Sequence, residues 1–264
     1  MKEIKKYYEH MFEMRYFIKY LVYIGLKNKF KRSKLGILWT FVSPLCLTII
    51  MSVVFSVAFH YNYTDYLPYV LSGILFWDLV SQSFISGSST VMAYDSFMRQ
   101  CNHPVTLYTL SNALLYTISY LISMIALLII ILITNPANII IGLLSLPLTV
   151  VIFFIYSWCG TTISALIGVQ YRDYPMAAQL VLQAVWYLSP VFFDESMFVS
   201  NPYIFKWFQI NPITHMLFLL RKPFLHGEFA SIIDYTYCVG FAVLMIIISY
   251  IMVLKKERNA IFYL

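Results

Sequence analysis

The sequence predicts an all-α integral membrane protein: six transmembrane helices, an N-terminal amphipathic interfacial helix, and short re-entrant or interfacial helices after the fifth span. Three observations carry this reading. First, 61% of the 264 residues are apolar and only 11% are charged, with a mean hydropathy of +0.75. A soluble chain of this length needs more charge to cover its surface. Second, uncharged runs repeatedly reach the ~20 residues that cross a ~30 Å hydrocarbon core as helix. Third, 10 of the 18 Lys and Arg residues lie in the first 34 positions, which fits a membrane surface better than nucleic acid.

Residues 1–34 place Lys5, Lys6, Glu9 and Glu13 on one helical face and Met11, Met14, Ile18, Leu21 and Val22 roughly opposite. That is the pattern of a helix lying in the membrane interface with its lysines towards anionic head groups. Charges recur through Lys34, so no cleavable signal peptide is expected. The cluster Lys27, Lys29, Lys31, Arg32 and Lys34 ends at Gly36, where the backbone is free to turn into the membrane.

The first span is Leu35 to Phe59, with a kink expected at Pro44. The second is Leu67 to Val91, interrupted near its middle by Asp78. Residues 92–111 read as a polar loop containing a short helix. From Pro104 to Tyr171 there is no Asp, Glu, Lys or Arg. Asn135-Pro-Ala-Asn138 divides that run into a third span near 112–134 and a fourth near 139–168. A polar hairpin, Tyr171-Arg-Asp-Tyr-Pro175, precedes a fifth span near 176–193. Residues 194–231, cut by Pro202, Pro212 and Pro223, read as short interfacial or re-entrant helices. The sixth span is 232–254, stopped by Lys255-Lys-Glu-Arg258, and a cytoplasmic tail occupies 255–264. With both termini inside, 15 Lys and Arg side chains fall on the cytoplasmic side, and Lys206, Arg221 and Lys222 fall outside. The chain reads as one domain, residues 1–264.

Enzyme signatures are absent. There is no phosphate-binding G-x-x-x-x-G-K-[ST] loop, no H-E-x-x-H and no G-x-S-x-G. Cys46, Cys101, Cys159 and Cys238 are scattered, and Cys101 with His103 has no second pair nearby, so the cysteines read as small buried hydrophobes and no metal is expected. The adjacent carboxylates Asp194-Glu195 read as solvated. Asp78 costs ~2.5–3.5 kcal/mol at mid-depth, so it should face a polar interior or sit near a helix end. A hydrogen bond between helices and a transport role both fit it. Trp39, Phe55, Phe59, Trp186 and Tyr187 lie within spans; an aromatic-lined passage would stack sugar faces, while lipid-facing packing is the default for any single ring.

Arg32-Ser-Lys-Leu-Gly-Ile-Leu-Trp39 with Pro44, Tyr66-Leu-Pro-Tyr-Val-Leu-Ser-Gly73 with Trp77, Tyr171-Arg-Asp173, Leu188-Ser-Pro-Val191, Asn211-Pro-Ile213 and the tail Ile261-Phe-Tyr263 follow one another along almost the whole chain. In this order they resemble the permease subunit of type-2 ABC exporters, closest to the group that exports lipid-linked O-antigen, capsule and teichoic acid polysaccharides. The resemblance implies a transporter subunit of the bacterial inner membrane rather than an enzyme. It implies a homodimer bound to a separate ATPase subunit, which would hold ATP and Mg, with no cofactor in this chain. A cytoplasmic entrance for lipid phosphate would fall at Arg32, Lys34 and Gly36. Coupling to the ATPase would fall at Tyr94, Asp95, Arg99, His103 and Pro104, although Arg99-Gln-Cys-Asn-His103 is less basic than is usual there. The translocation path would use Trp39, Phe55, Phe59, Asp78, Trp186 and Tyr187. Other readings are a drug or lipid exporter of the same superfamily and a membrane glycosyltransferase or ligase.

Overall fold

The computed structural model describes residues 13–31, 34–100, 103–194, 197 and 201–260, and every regular element among them is helical. In chain order these are α1 (Arg15–Phe30), α2 (Leu38–Phe59), α3 (Tyr63–Phe84), α4 (Thr90–Ala93), α5 (Asp95–Gln100), α6 (Val105–Thr134), α7 (Ile139–Gly168), α8 (Tyr174–Tyr187), α9 (Pro202–Ile210), α10 (Pro212–Arg221) and α11 (Ile232–Ala260). Five stretches are long and apolar enough to cross a membrane: Leu38–Ala58, Tyr63–Ala93, Val105–Thr134, Pro136–Gly168 and Ile232–Glu257. Residues 1–12, with Lys5, Lys6, Glu9 and Met11, lie outside the described residues, as do Arg32, Cys101, Glu195 and the tail from Ile261.

Two expected boundaries move. α6 begins at Val105, seven residues before the expected third span. The polar residues there do not break the helix, because Thr109 Oγ1 donates to Thr106 O (3.1 Å) and Ser111 Oγ to Leu107 O (3.0 Å). The expected fifth span is instead a 14-residue α8, about 21 Å long at 1.5 Å per residue. It ends at Tyr187, just ahead of Ser189-Pro190, where the proline disfavours helix for its predecessor. Cys46 is a further correction. It is exposed on α2, whereas Cys159 and Cys238 are buried.

Polar side chains stitch the bundle. Ser83 and Ser157 join α3 to α7 at 2.7 Å, and Thr109 and Thr162 join α6 to α7 at 2.8 Å. Pro44 lies inside α2 and has no N–H for the Thr40 carbonyl four residues back. Ser123 Oγ of α6 donates to that carbonyl instead, at 2.8 Å. This contact also fixes depth: α2 starts level with the middle of α6. The first half of α6, α1, α4 and α5 therefore extend beyond the start of α2, at one end of the bundle. There Ile18, Leu21 and Val22 of α1 are buried against Val91, Met98, Tyr108 and Leu166.

Candidate functional site

At this cation-rich end the short helices form a platform. Tyr94 stacks on Tyr108 (5.2 Å between ring centres) and donates to Asn112 Oδ1 (3.1 Å). Asn112 Nδ2 in turn donates to Thr90 Oγ1 at 2.9 Å. Phe17 of α1 packs against Phe97, His103 and Tyr108, at 6.2, 5.5 and 6.3 Å. Asp95 and Arg99 pair with each other at 2.6 Å on the exposed side. Glu257 of α11 accepts from the Val105 amide at 2.7 Å, placing a carboxylate on the N-terminus of α6 directly after Pro104. The structure thus gathers Tyr94, Asp95, Arg99, His103 and Pro104 into one patch and ties it to both α1 and α11.

At the far end of α1 from this patch the chain turns into α2. Lys34 is exposed, and Gly36 has φ +53°, with open space where a side chain would stand. Lys29 reaches instead towards α3 and α6. Its Nζ donates to Gln82 Oε1 (3.3 Å) and Ser119 Oγ (3.2 Å), and Gln82 Nε2 donates to Asp78 Oδ2 at 2.6 Å. Burial pulls the Lys29 ammonium below the ordinary lysine value, and the Asp78 carboxylate acts in the opposite direction. Asp78 therefore sits near the level at which α2 starts.

The aromatic residues divide into two sets. Phe55 stacks on Phe192 (5.6 Å), Phe192 meets Trp186 edge-on (4.8 Å), and Trp186 stacks on Trp77 (6.3 Å). This half-buried ladder crosses from α2 to α8 to α3. Trp39 and Tyr187 do not join its interior and are 50% and 61% exposed. The Phe59 side chain lies outside the described residues.

At the opposite end the structure reveals residues to which the sequence assigned no role. Arg221 is 2% exposed. Its Nη1 donates to Pro190 O (2.6 Å), Nη2 to Val191 O (2.7 Å) and Tyr69 O (3.3 Å), and Nε to Ser72 Oγ (3.2 Å). Tyr66 and Tyr69 add hydroxyl donors to Phe192 O and, at 2.8 Å, Phe193 O. Asp234, at the start of α11, accepts from Lys222 Nζ (2.6 Å) and Ser231 Oγ (2.8 Å) and faces His215 Nδ1 at 2.8 Å. The only hint in the sequence was Arg221-Lys222-Pro223, two cations in an apolar segment.

The model of the ABC-2 type transporter family matches residues 16–225. This chain belongs to the ABC-2 type transporter family. The match takes in α1 to α10 and stops ahead of α11. Two proteins from Klebsiella pneumoniae, each named O-antigen export system permease protein RfbA, are both 21% identical to this chain. Their matches cover 80% and 82% of this chain and 82% and 83% of theirs. A Myxococcus xanthus protein of the same name is 21% identical over 75% of each chain. Among the described residues of this ABC-2 transporter chain, no His, Cys, Asp and Glu cluster has metal-binding geometry.

Proposed function

We propose that this chain is the permease subunit of an ATP-driven exporter that moves a lipid-linked polysaccharide, of O-antigen, capsule or teichoic acid type, across the bacterial cytoplasmic membrane. The observation that carries the reading is the family match over residues 16–225 together with three O-antigen export relatives that align along most of their length. In this reading α8 and the turn 188–193, buried at Ser189 to Phe192, complete a sixth crossing between the cation-rich end and the end held by Arg221. The cation-rich end is cytoplasmic and carries both termini, following the excess of Lys and Arg there.

Two copies of the chain would enclose the passage. Apolar side chains such as Val57 on α2 and Leu180 on α8 are 74% and 70% exposed on the single chain, and a second copy would cover part of this surface. A separate ATPase subunit, holding ATP and Mg, would dock on the platform of Tyr94, Asp95, Arg99, His103 and Pro104. Arg32, Lys34 and Gly36 would receive the lipid phosphates, each surface cation contributing ~1 kcal/mol towards anionic lipid. Trp39, Phe55, Phe59, Asp78, Trp186 and Tyr187 would border the route of the glycan, where aromatic faces accept sugars of varied sequence. Hydrolysis would shift α4 and α5, and Glu257 would pass that shift to α11. Deleting the gene in its native cell tests the reading. Loss of surface polysaccharide with lipid-linked glycan accumulating inside is expected, and unchanged surface polysaccharide contradicts it.

A further inference from the structure

Within α3 every residue from Val70 to Trp77 is buried, and so is Leu79, yet Asp78 is exposed. A carboxylate in an otherwise buried stretch of a membrane helix requires water or polar partners, because hydrocarbon cannot solvate it. The face of α3 that carries Asp78 is open on the single chain, beside the start of α2. Gln82 supplies one hydrogen bond to this carboxylate. An ionised carboxylate offers about four acceptor sites, so Gln82 uses only part of its capacity. Lys29 holds Gln82 from behind through its carbonyl oxygen, which turns the Gln82 amide nitrogen towards Asp78. Ser119 shares the ammonium at 3.2 Å.

We infer that Asp78, oriented by Gln82 and Lys29, is a hydroxyl-binding step at the mouth of the passage, and that its ligand is the sugar portion of the cargo. A carboxylate accepts hydrogen bonds from hydroxyls of any sugar, so it gives grip without sequence selectivity, as a polymer of varied repeat requires. The same negative charge repels phosphate, so the lipid head group must seat elsewhere. The inference rests on the polysaccharide-export reading, and the test separates the two.

The experiment uses the native cell and the glycan it makes. Surface polymer and inner-leaflet lipid-linked glycan are measured for wild type, a gene deletion, Asp78→Leu, Asp78→Asn and Gln82→Leu, alongside thermal unfolding of each purified protein. Asp78→Leu is expected to lower surface polymer about tenfold, the value of one hydrogen bond to a charged group, with unfolding temperature preserved. Asp78→Asn keeps an acceptor oxygen and should restore much of the export, and Gln82→Leu should fall between. Wild-type export by Asp78→Leu overturns the step, as does a loss of export matched by a loss of thermal stability. An Asp78→Asn variant as defective as Asp78→Leu overturns it too, because hydroxyl acceptance alone would survive that change. If the deletion itself leaves surface polymer intact, the export reading fails instead.

Discussion

The guanidinium of Arg221 lies over the ring of Tyr69, with Cζ 3.6 Å from the ring centre. The contact places a buried cation on a π face while its guanidinium donates to three backbone carbonyls and the Ser72 hydroxyl. Gly73 makes room for it: a Cβ there would stand 2.9 Å from Arg221 Nη2 and 2.8 Å from Val191 O. One side chain thus fastens α10 to α3 and to the turn that ends α8. Replacing Arg221 with Met leaves the carbonyls of Pro190, Val191 and Tyr69 without this donor, a loss of roughly 3 kcal/mol. Arg221→Lys recovers only part, since an ammonium lacks the planar fork. Thermal unfolding of the purified variants should rank wild type, Lys, then Met.

Asp234 fixes the other side of the same segment. Its carboxylate faces Lys222 and His215, and His215 Nε2 reaches the Gln209 carbonyl at 2.9 Å. Asp234→Ala should free α9 and α10 from the start of α11 and destabilise the protein by about 3 kcal/mol, the cost of uncovering buried charges. Limited proteolysis reads this directly: cleavage between residues 200 and 230 should accelerate in the variant while α6 and α7 stay protected.

Ser123→Ala tests how Pro44 is accommodated. Without the Ser123 hydroxyl the Thr40 carbonyl loses its donor, and α2 should weaken by about 1 kcal/mol. Hydrogen exchange of the amides in the first two turns of α2 should quicken, with the rest of the chain unchanged.

Glu257→Ala removes the carboxylate from the start of α6 and should destabilise that end by ~1 kcal/mol. If the coupling reading holds, ATP turnover by the partner will persist while export per ATP falls, measured in reconstituted vesicles.

How much of this was legible from sequence depends on whether the determinant is local. The start of α7 at Ile139 follows from Asn135-Pro-Ala-Asn138, and the breaks at Pro202 and Pro212 follow from the prolines themselves. Tyr94 to Pro104 come together because they form a short contiguous stretch. The early start of α6 was missed because Thr106, Thr109 and Ser111 read as loop, although helix carbonyls satisfy two of their hydroxyls. The short α8 is not legible because hydropathy continues through Phe192 while the backbone leaves the helix after Tyr187, ahead of Pro190. Asp78 was identifiable as costly, but its partner Lys29 lies 49 positions earlier in the chain, where composition placed it among membrane-surface cations. Arg221 was counted as an outside charge, since nothing local marks four acceptors contributed by residues 69–72 and 190–191.

The central claim is that this chain exports nothing by itself and moves lipid-linked polysaccharide only when an ATPase subunit drives it. The most direct measurement reconstitutes the purified chain in vesicles, with and without its ATPase, and follows transfer of lipid-linked glycan between leaflets on addition of ATP. The account predicts transfer only when the chain, the ATPase and ATP are all present. Transfer or chemical alteration of the glycan by the chain alone without ATP, or no transfer with all three present, would contradict it.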